Sequence, residues 1–203
     1  MKIICIGRNY VDHAKELNNA VPTEPVFFLK PDTALVKNNE PFYIPAFSNN
    51  IHHEVEIVLQ ICKMGKHIEE KFAHKYYDKI TVGIDFTARD VQDQCKEKGL
   101  PWEKAKSFDS SAPLGEMLAL TDIVNVNSIP FHLKINGEIR QQGNTDQMLF
   151  SFDKIIAYVS QFVTLKTGDL IYTGTPAGVG QVHIGDRLQA YIGDKLLLDF
   201  EVK

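Results

Sequence analysis

The chain has 203 residues, of which 44% are hydrophobic, and a formal net charge of −4. That balance gives no basic footprint for nucleic acid, and no apolar run reaches membrane-spanning length. The length suits one large core, read as a single domain over residues 1–203 with long insertions. Cys5, Cys62 and Cys95 are odd in number, far apart and without a CxxC pair. This argues against a disulfide framework or a zinc site and fits a reducing, cytoplasmic compartment.

The start, Met1 to Ile6 before Gly7 and Arg8, is too short for a signal peptide and reads as a first strand. Val11 to Leu17 has helix-forming character and ends at Asn18-Asn19, before Pro22 and Pro25. His13 and Glu16, three apart on that helix, share a face. A carboxylate beside an imidazole raises its basicity and fixes its orientation, as a general base requires; an exposed surface pair has the same spacing. Val26 to Lys30 is a strand stopped by Pro31.

His52-His53-Glu54-Val55-Glu56-Ile57-Val58-Leu59 reads as one strand. Val55, Ile57 and Leu59 then take one face, and Glu54 and Glu56 the other, beside His52. Two carboxylates on one buried face need a cation, a shared proton or water; on a solvated face they need nothing. Ala73 to Tyr77 is read as helical. Ile80 to Phe86 is an apolar run carrying Asp85, which needs a partner if buried. Thr87 is expected to cap a short helix through Gln92, on which Arg89 and Gln92 share a face and suit a carboxylate ligand. Gly99 and Pro101 close that helix, and Trp102, the only tryptophan, is read as a core or interface anchor. Lys104 and Lys106 precede a loop of small residues, and one of them is placed to reach an anion.

The second half is mostly strands. Asn136-Gly137 between two strand-like runs signals a type I′ hairpin. Ser151 caps a helix from about Phe152 to Phe162. Gly168-Asp169 turns into Leu170-Ile171-Tyr172. The glycine-rich run Thr173 to Gly180 lies at that strand's end, where its N–H groups can approach an anion. It lacks the ending of a Walker loop. Two strands around Gly193-Asp194 finish the chain. Three carboxylates without a nearby cysteine point to an oxygen-ligand ion, Mg²⁺ or Mn²⁺.

In ordered blocks the chain resembles the fumarylacetoacetate hydrolase family, in particular its small acylpyruvate hydrolases and oxaloacetate decarboxylases. The blocks are Gly7-Arg8-Asn9-Tyr10 with Asp12-His13, Glu24-Pro25 through Lys30-Pro31, His52 to Glu56, Asp85 to Gln92, and Gly99-Leu100-Pro101-Trp102. Ala105-Lys106-Ser107-Phe108, Asn136-Gly137-Glu138, Thr173-Gly174-Thr175-Pro176 and Gly178-Val179-Gly180 complete them. The resemblance implies a mainly β, α+β fold, a mixed β-roll with short peripheral helices, and a homodimer. It implies Glu54, Glu56 and Asp85 as ligands of Mg²⁺ or Mn²⁺ and Lys106 as the active-site lysine. His13 and Glu16 become the catalytic pair of a lid segment at about residues 10–24. Arg89, Gln92 and Thr175 become the residues that hold a small-molecule 2-keto acid. His52 and His53 are expected to support the site or the core rather than bind metal. The activity expected first is hydrolysis of a C–C bond in acylpyruvates such as acetylpyruvate or fumarylpyruvate, with no nucleic-acid or membrane partner. The alternatives are oxaloacetate decarboxylation or keto–enol tautomerisation, isomerisation of a 2-hydroxy-2,4-dienedioate, and a non-enzymatic 2-keto-acid binding protein.

Overall fold

In the computed structural model, which describes residues 1–16 and 20–203, the first strand shows why the centre of the fold is dry. β1 (Ile3–Gly7) turns Ile4 and Ile6 to one side and Ile3 and Cys5 to the other, and all four are buried. A strand apolar on both faces needs cover on both. The next elements are α1 (Val11–Glu16), β2 (Val26–Lys30), β3 (Leu35–Val36), β4 (Ile51–His53) and β5 (Val55–Ile61). The middle carries α2 (Glu70–Ala73), β6 (Tyr77–Ile84), β7 (Thr87–Ala88), α3 (Arg89–Glu97), α4 (Glu103–Lys106), β8 (Ala112–Pro113) and β9 (Leu118–Ala119). The last third adds β10 (Pro130–Ile135), β11 (Glu138–Asn144), α5 (Phe152–Phe162), β12 (Leu170–Tyr172), β13 (Gly180–Gln181), β14 (Arg187–Ile192) and β15 (Lys195–Glu201).

The fold is mainly β with short helices. A mixed six-stranded sheet runs β2-β1-β12-β5-β6-β9, parallel between β1 and β12 and otherwise antiparallel. An antiparallel sheet, β11-β10-β14-β15, closes the main core by placing Phe131, Leu133, Leu188 and Phe200 with Val82, Ile84 and Phe86. A small third sheet runs β13-β4-β7. The hairpin turn has Asn136 at φ 53° and Gly137 at φ 85°, as a type I′ turn demands. Ser151 accepts from the Lys154 N–H at 3.3 Å and caps α5, whose Ile155, Ile156 and Val159 are fully buried.

Three local expectations are corrected. The stretch from His52 to Leu59 is two strands, not one. β4 pairs with β13 and β7 in the small sheet, whereas β5 pairs with β6 and β12 in the large one. β6 and β7 break opposite, at Asp85-Phe86, and the Asp85 N–H donates to the Glu54 carbonyl at 2.8 Å. Two antiparallel segments therefore cross from one sheet to the next at the same point, and Glu54 and Asp85 occupy the paired corner. Thr87 does not cap α3: it lies in β7, and Ala88 is the N-cap with no side-chain bond. The helix read across residues 73–77 is instead α2, ending at Ala73, because Tyr77 begins β6 with its ring buried against Phe152. Of the lid segment, residues 17–19 lie outside the described residues, as does the expected helix end at Leu17 to Asn19.

Candidate metal centre and active site

The sheet corner concentrates charge. Glu54, Glu56 and Asp85, all buried, each place a carboxylate oxygen within 4.8 Å of the others. Three buried cations surround them. Lys106, at the C-terminal end of α4, donates to Glu54 Oε2 and Asp85 Oδ2, both at 2.8 Å. Arg89, at the first position of α3, donates through Nη2 to Glu54 Oε1 at 2.6 Å and through Nη1 to Gln92 Oε1 at 2.7 Å. Lys30, the last residue of β2, has its Nζ 2.8 Å from Asp85 Oδ1 and also donates to the carbonyls of Phe86, Lys106 and Ser111 and to Ser111 Oγ.

The environments set the charges. Burial works against ionisation of Glu54, but Lys106 and Arg89 outweigh it and hold its pKa well below the carboxylate range. Burial also opposes the Lys106 ammonium, and Asp85 and Glu54 overcome that, so its pKa stands above the ordinary lysine value. Glu56 is the odd member. Burial, then the Asp85 charge, pushes its pKa up, and the Gly174 N–H, donating to Oε2 at 2.7 Å, only partly opposes them. The glycine-rich loop thus spends this N–H on the protein's own carboxylate. Gly178 likewise donates to Glu16 Oε1 at 3.0 Å.

These residues fit a hard divalent cation. The donors are carboxylate oxygens. Asp85 Oδ1 is buried yet has no well-aligned hydrogen-bond donor despite the nearby Lys30, and Glu56 has no cation of its own among the described residues. Both are deficits that such an ion would fill.

The charged corner forms one wall of a cleft that is also lined by Arg8, His13, Phe28, Gln92, Lys96, Trp102 and Thr175. All nine residues expected at the site from the sequence cluster here: eight line the cleft, and Glu16 stands directly behind His13. The His13 Nδ1 lies 3.2 Å from Glu16 Oε2, and His13 is buried. Lys104 is exposed and takes no part. Trp102 is a wall of the cleft, edge-on to Phe28 with ring centroids 6.2 Å apart.

Two contributors were not singled out in the sequence. Lys30 read as the end of a strand; its position before Pro31 and inside an apolar run is the only signal it offers. Gln141 of β11 is the other. Its Oε1 accepts from the Val55 N–H at 3.0 Å, which fixes the amide's orientation. The His53 Nδ1, 2.8 Å from the same oxygen, must then carry its proton. The Gln141 Nε2 is left to donate to Thr175 Oγ1 at 2.8 Å and to the Pro176 carbonyl at 2.9 Å. The Thr175 hydroxyl accepts from Gln141, and its own proton has only a long 3.5 Å contact to the Pro176 carbonyl, so it can turn to the cleft. His53 acts through this relay, and His52 bonds Asn50 Oδ1 at 2.9 Å. Neither belongs to the acidic cluster.

A sheet corner holding three carboxylates, ringed by cations and faced by an imidazole–carboxylate pair, has the parts that an enzyme of small anions needs. Residues 2–202 match the family model of the fumarylacetoacetate (FAA) hydrolase C-terminal domain, and the chain belongs to that family. It is 45% identical to the mitochondrial oxaloacetate tautomerase FAHD1 of Bos taurus, over 99% of this chain and 91% of that protein. It is 43% identical to the mitochondrial oxaloacetate decarboxylase of Dictyostelium discoideum, over 94% of this chain and 88% of that one. The crystal structure of fumarylpyruvate hydrolase from Pseudomonas aeruginosa in complex with Mn²⁺ and pyruvate superposes with a TM-score of 0.94 at 36% identity, covering 100% of this chain and 89% of that one.

Proposed function

We propose that the protein is a divalent-metal-dependent enzyme of oxaloacetate that interconverts its keto and enol forms and releases CO₂ from it. This reorders the expectation from sequence, which put acylpyruvate hydrolysis first. The observation that carries the reading is the charge count at the corner. Three carboxylates face three cations and cancel when all are ionised. At the corner itself a bound divalent ion leaves two positive charges, which a dianion such as oxaloacetate or fumarylpyruvate neutralises and monoanionic acetylpyruvate only half neutralises. Between those two dianions, the tautomerase and decarboxylase relatives favour oxaloacetate.

Glu54, Glu56 and Asp85 would hold Mg²⁺ or Mn²⁺, which supplies Lewis-acid polarisation of a 2-keto acid when bound. Arg89, Gln92 and the Thr175 hydroxyl fix the carboxylate next to the keto group. His13, oriented by Glu16, takes a proton from C3 of the keto form. The C–H electron pair becomes the C2=C3 bond, and the keto oxygen gains negative charge beside the Lys106 ammonium, which stabilises it. Return of a proton to oxygen gives the enol. In decarboxylation the C3–C4 pair flows the same way, CO₂ leaves, and a proton drawn from solvent through His13 is delivered to C3 to give pyruvate. Hydrolysis of an acylpyruvate needs one thing more, a water activated by His13, and remains the second reading because of the fumarylpyruvate hydrolase likeness. The homodimer and the cytoplasmic location belong to the proposal, to be read by light scattering and by cell fractionation.

The test is a substrate comparison with Mg²⁺ or Mn²⁺, following enol absorbance, pyruvate and acetate separately. Faster turnover of oxaloacetate than of acetylpyruvate is expected. Rapid release of acetate from acetylpyruvate with oxaloacetate untouched would restore the hydrolase reading.

A further inference from the structure

The inner cations are matched by the acidic cluster, but the cleft exposes two more. Arg8 follows β1 in a left-handed conformation, φ 61°, which a residue with a Cβ rarely adopts. The neighbouring Asn9 enforces it. Its fully buried side chain donates to the carbonyls of Phe150 (3.1 Å) and Thr173 (2.8 Å) and accepts from the Phe150 N–H (2.8 Å), while its carbonyl accepts from Leu149 (2.8 Å). Strain held in place this firmly marks a position selected for where its side chain stands. Here the side chain is half-buried on the cleft wall, beside Phe28 and Trp102.

Lys96, on α3, lines the same cleft. Its only ion pair among the described residues is a loose one, 3.8 Å to the exposed Asp93, and Arg8 has none among them. Partial burial, then the charges of Arg89 and Arg8, holds the Lys96 pKa below the ordinary lysine value, as expected of cations that repel each other across an open cleft.

We propose that Arg8 and Lys96 form a subsite for the second carboxylate of a four-carbon keto diacid. The inner set of Arg89, Gln92 and Thr175 takes the carboxylate next to the keto group, and Arg8 and Lys96 take the distal one. The subsite makes the cleft selective for dicarboxylates over acids with an uncharged tail. It rests on the keto-acid reading of the cleft proposed above.

L-malate and L-lactate are unreactive hydroxy analogues of oxaloacetate and pyruvate that differ by the distal carboxylate alone. Calorimetry of both with Mg²⁺, on the wild-type protein and on Arg8→Gly and Lys96→Gln, reads the subsite without any turnover. Glycine accepts the left-handed backbone, so Arg8→Gly relieves the strain while removing the guanidinium. The wild type is expected to prefer malate, and Arg8→Gly to cut the malate-to-lactate affinity ratio by about tenfold to a hundredfold, the value of a charge-assisted pair. Lys96→Gln should cut it by a smaller factor. An unchanged ratio, or parallel loss of both ligands, overturns the subsite. An Arg8-dependent malate preference in a protein that leaves oxaloacetate untouched keeps the subsite and removes the proposed activity.

Discussion

Gln141→Glu separates the relay behind Thr175 from the rest of the site. The substitution keeps the acceptor for the Val55 N–H and for His53 Nδ1, and removes the two donors, at 2.8 and 2.9 Å, that reach Thr175 Oγ1 and the Pro176 carbonyl. The Thr175 proton then turns back to the new carboxylate and leaves the cleft. A substrate carboxylate loses one charge-assisted bond, about 1.5–3 kcal/mol, or roughly a 10- to 150-fold weaker affinity. The stranded Pro176 carbonyl costs about 1–3 kcal/mol of stability. The assay is calorimetry of oxalate with Mg²⁺, with thermal melts to show that each variant is folded. A carboxylate at 141 also repels the ligand through space, so Thr175→Val and the double variant complete a cycle. Repulsion persists when Thr175 is gone, whereas the relay does not. A coupling of about 1–2 kcal/mol between the two positions is expected; zero coupling would refute the relay.

Lys30→Met removes the ammonium whose charge pairs with Asp85 and which satisfies three backbone carbonyls, so it should cost about 3–5 kcal/mol as a broken buried ion pair does. At about 2–4 °C per kcal/mol for a chain this size that is a Tm drop of about 6–20 °C; a drop under about 2 °C would contradict it. Lys106→Met should abolish turnover yet tighten Mg²⁺ binding in the absence of substrate, because the ammonium competes for oxygens of Glu54 and Asp85; weaker Mg²⁺ binding would mean that Lys106 organises the carboxylates instead. Burial and the nearby Arg89 lower the His52 pKa from 6.5 to about 4, so the folded protein keeps this ring neutral where the unfolded chain protonates it. Stability should therefore fall as pH drops from about 6.5 towards 4, and urea midpoints of His52→Gln should show a shallower slope over that window; identical slopes would exclude the histidine as the cause.

Local pattern made much of this legible. Asn136-Gly137 and Ser151 specify their own geometry, since a type I′ turn and an N-cap are decided within four residues. Alternation correctly joined Glu54 with Glu56. It could not show that the strand breaks at Glu54, because the break is set by pairing with β7 and β13, whose partners lie far along the chain. The same long-range pairing overrode the local preference of Thr87 for a cap. Assembly of Asp85 with the glutamates came from resemblance to a family, not from spacing. Lys30 and Gln141 stayed hidden for the opposite reason. Each looks like an ordinary strand residue until the backbone groups it satisfies are brought to it by the fold.

The central claim is that His13 moves a proton at C3 of a keto acid held in the charged corner. Exchange of the C3 protons of oxaloacetate with deuterated solvent, followed by NMR with Mg²⁺ present, reads that step alone. Wild-type protein should accelerate the exchange, and His13→Ala should return it to the uncatalysed rate. Exchange at the wild-type rate in His13→Ala, or none from the wild-type protein, would contradict the assignment.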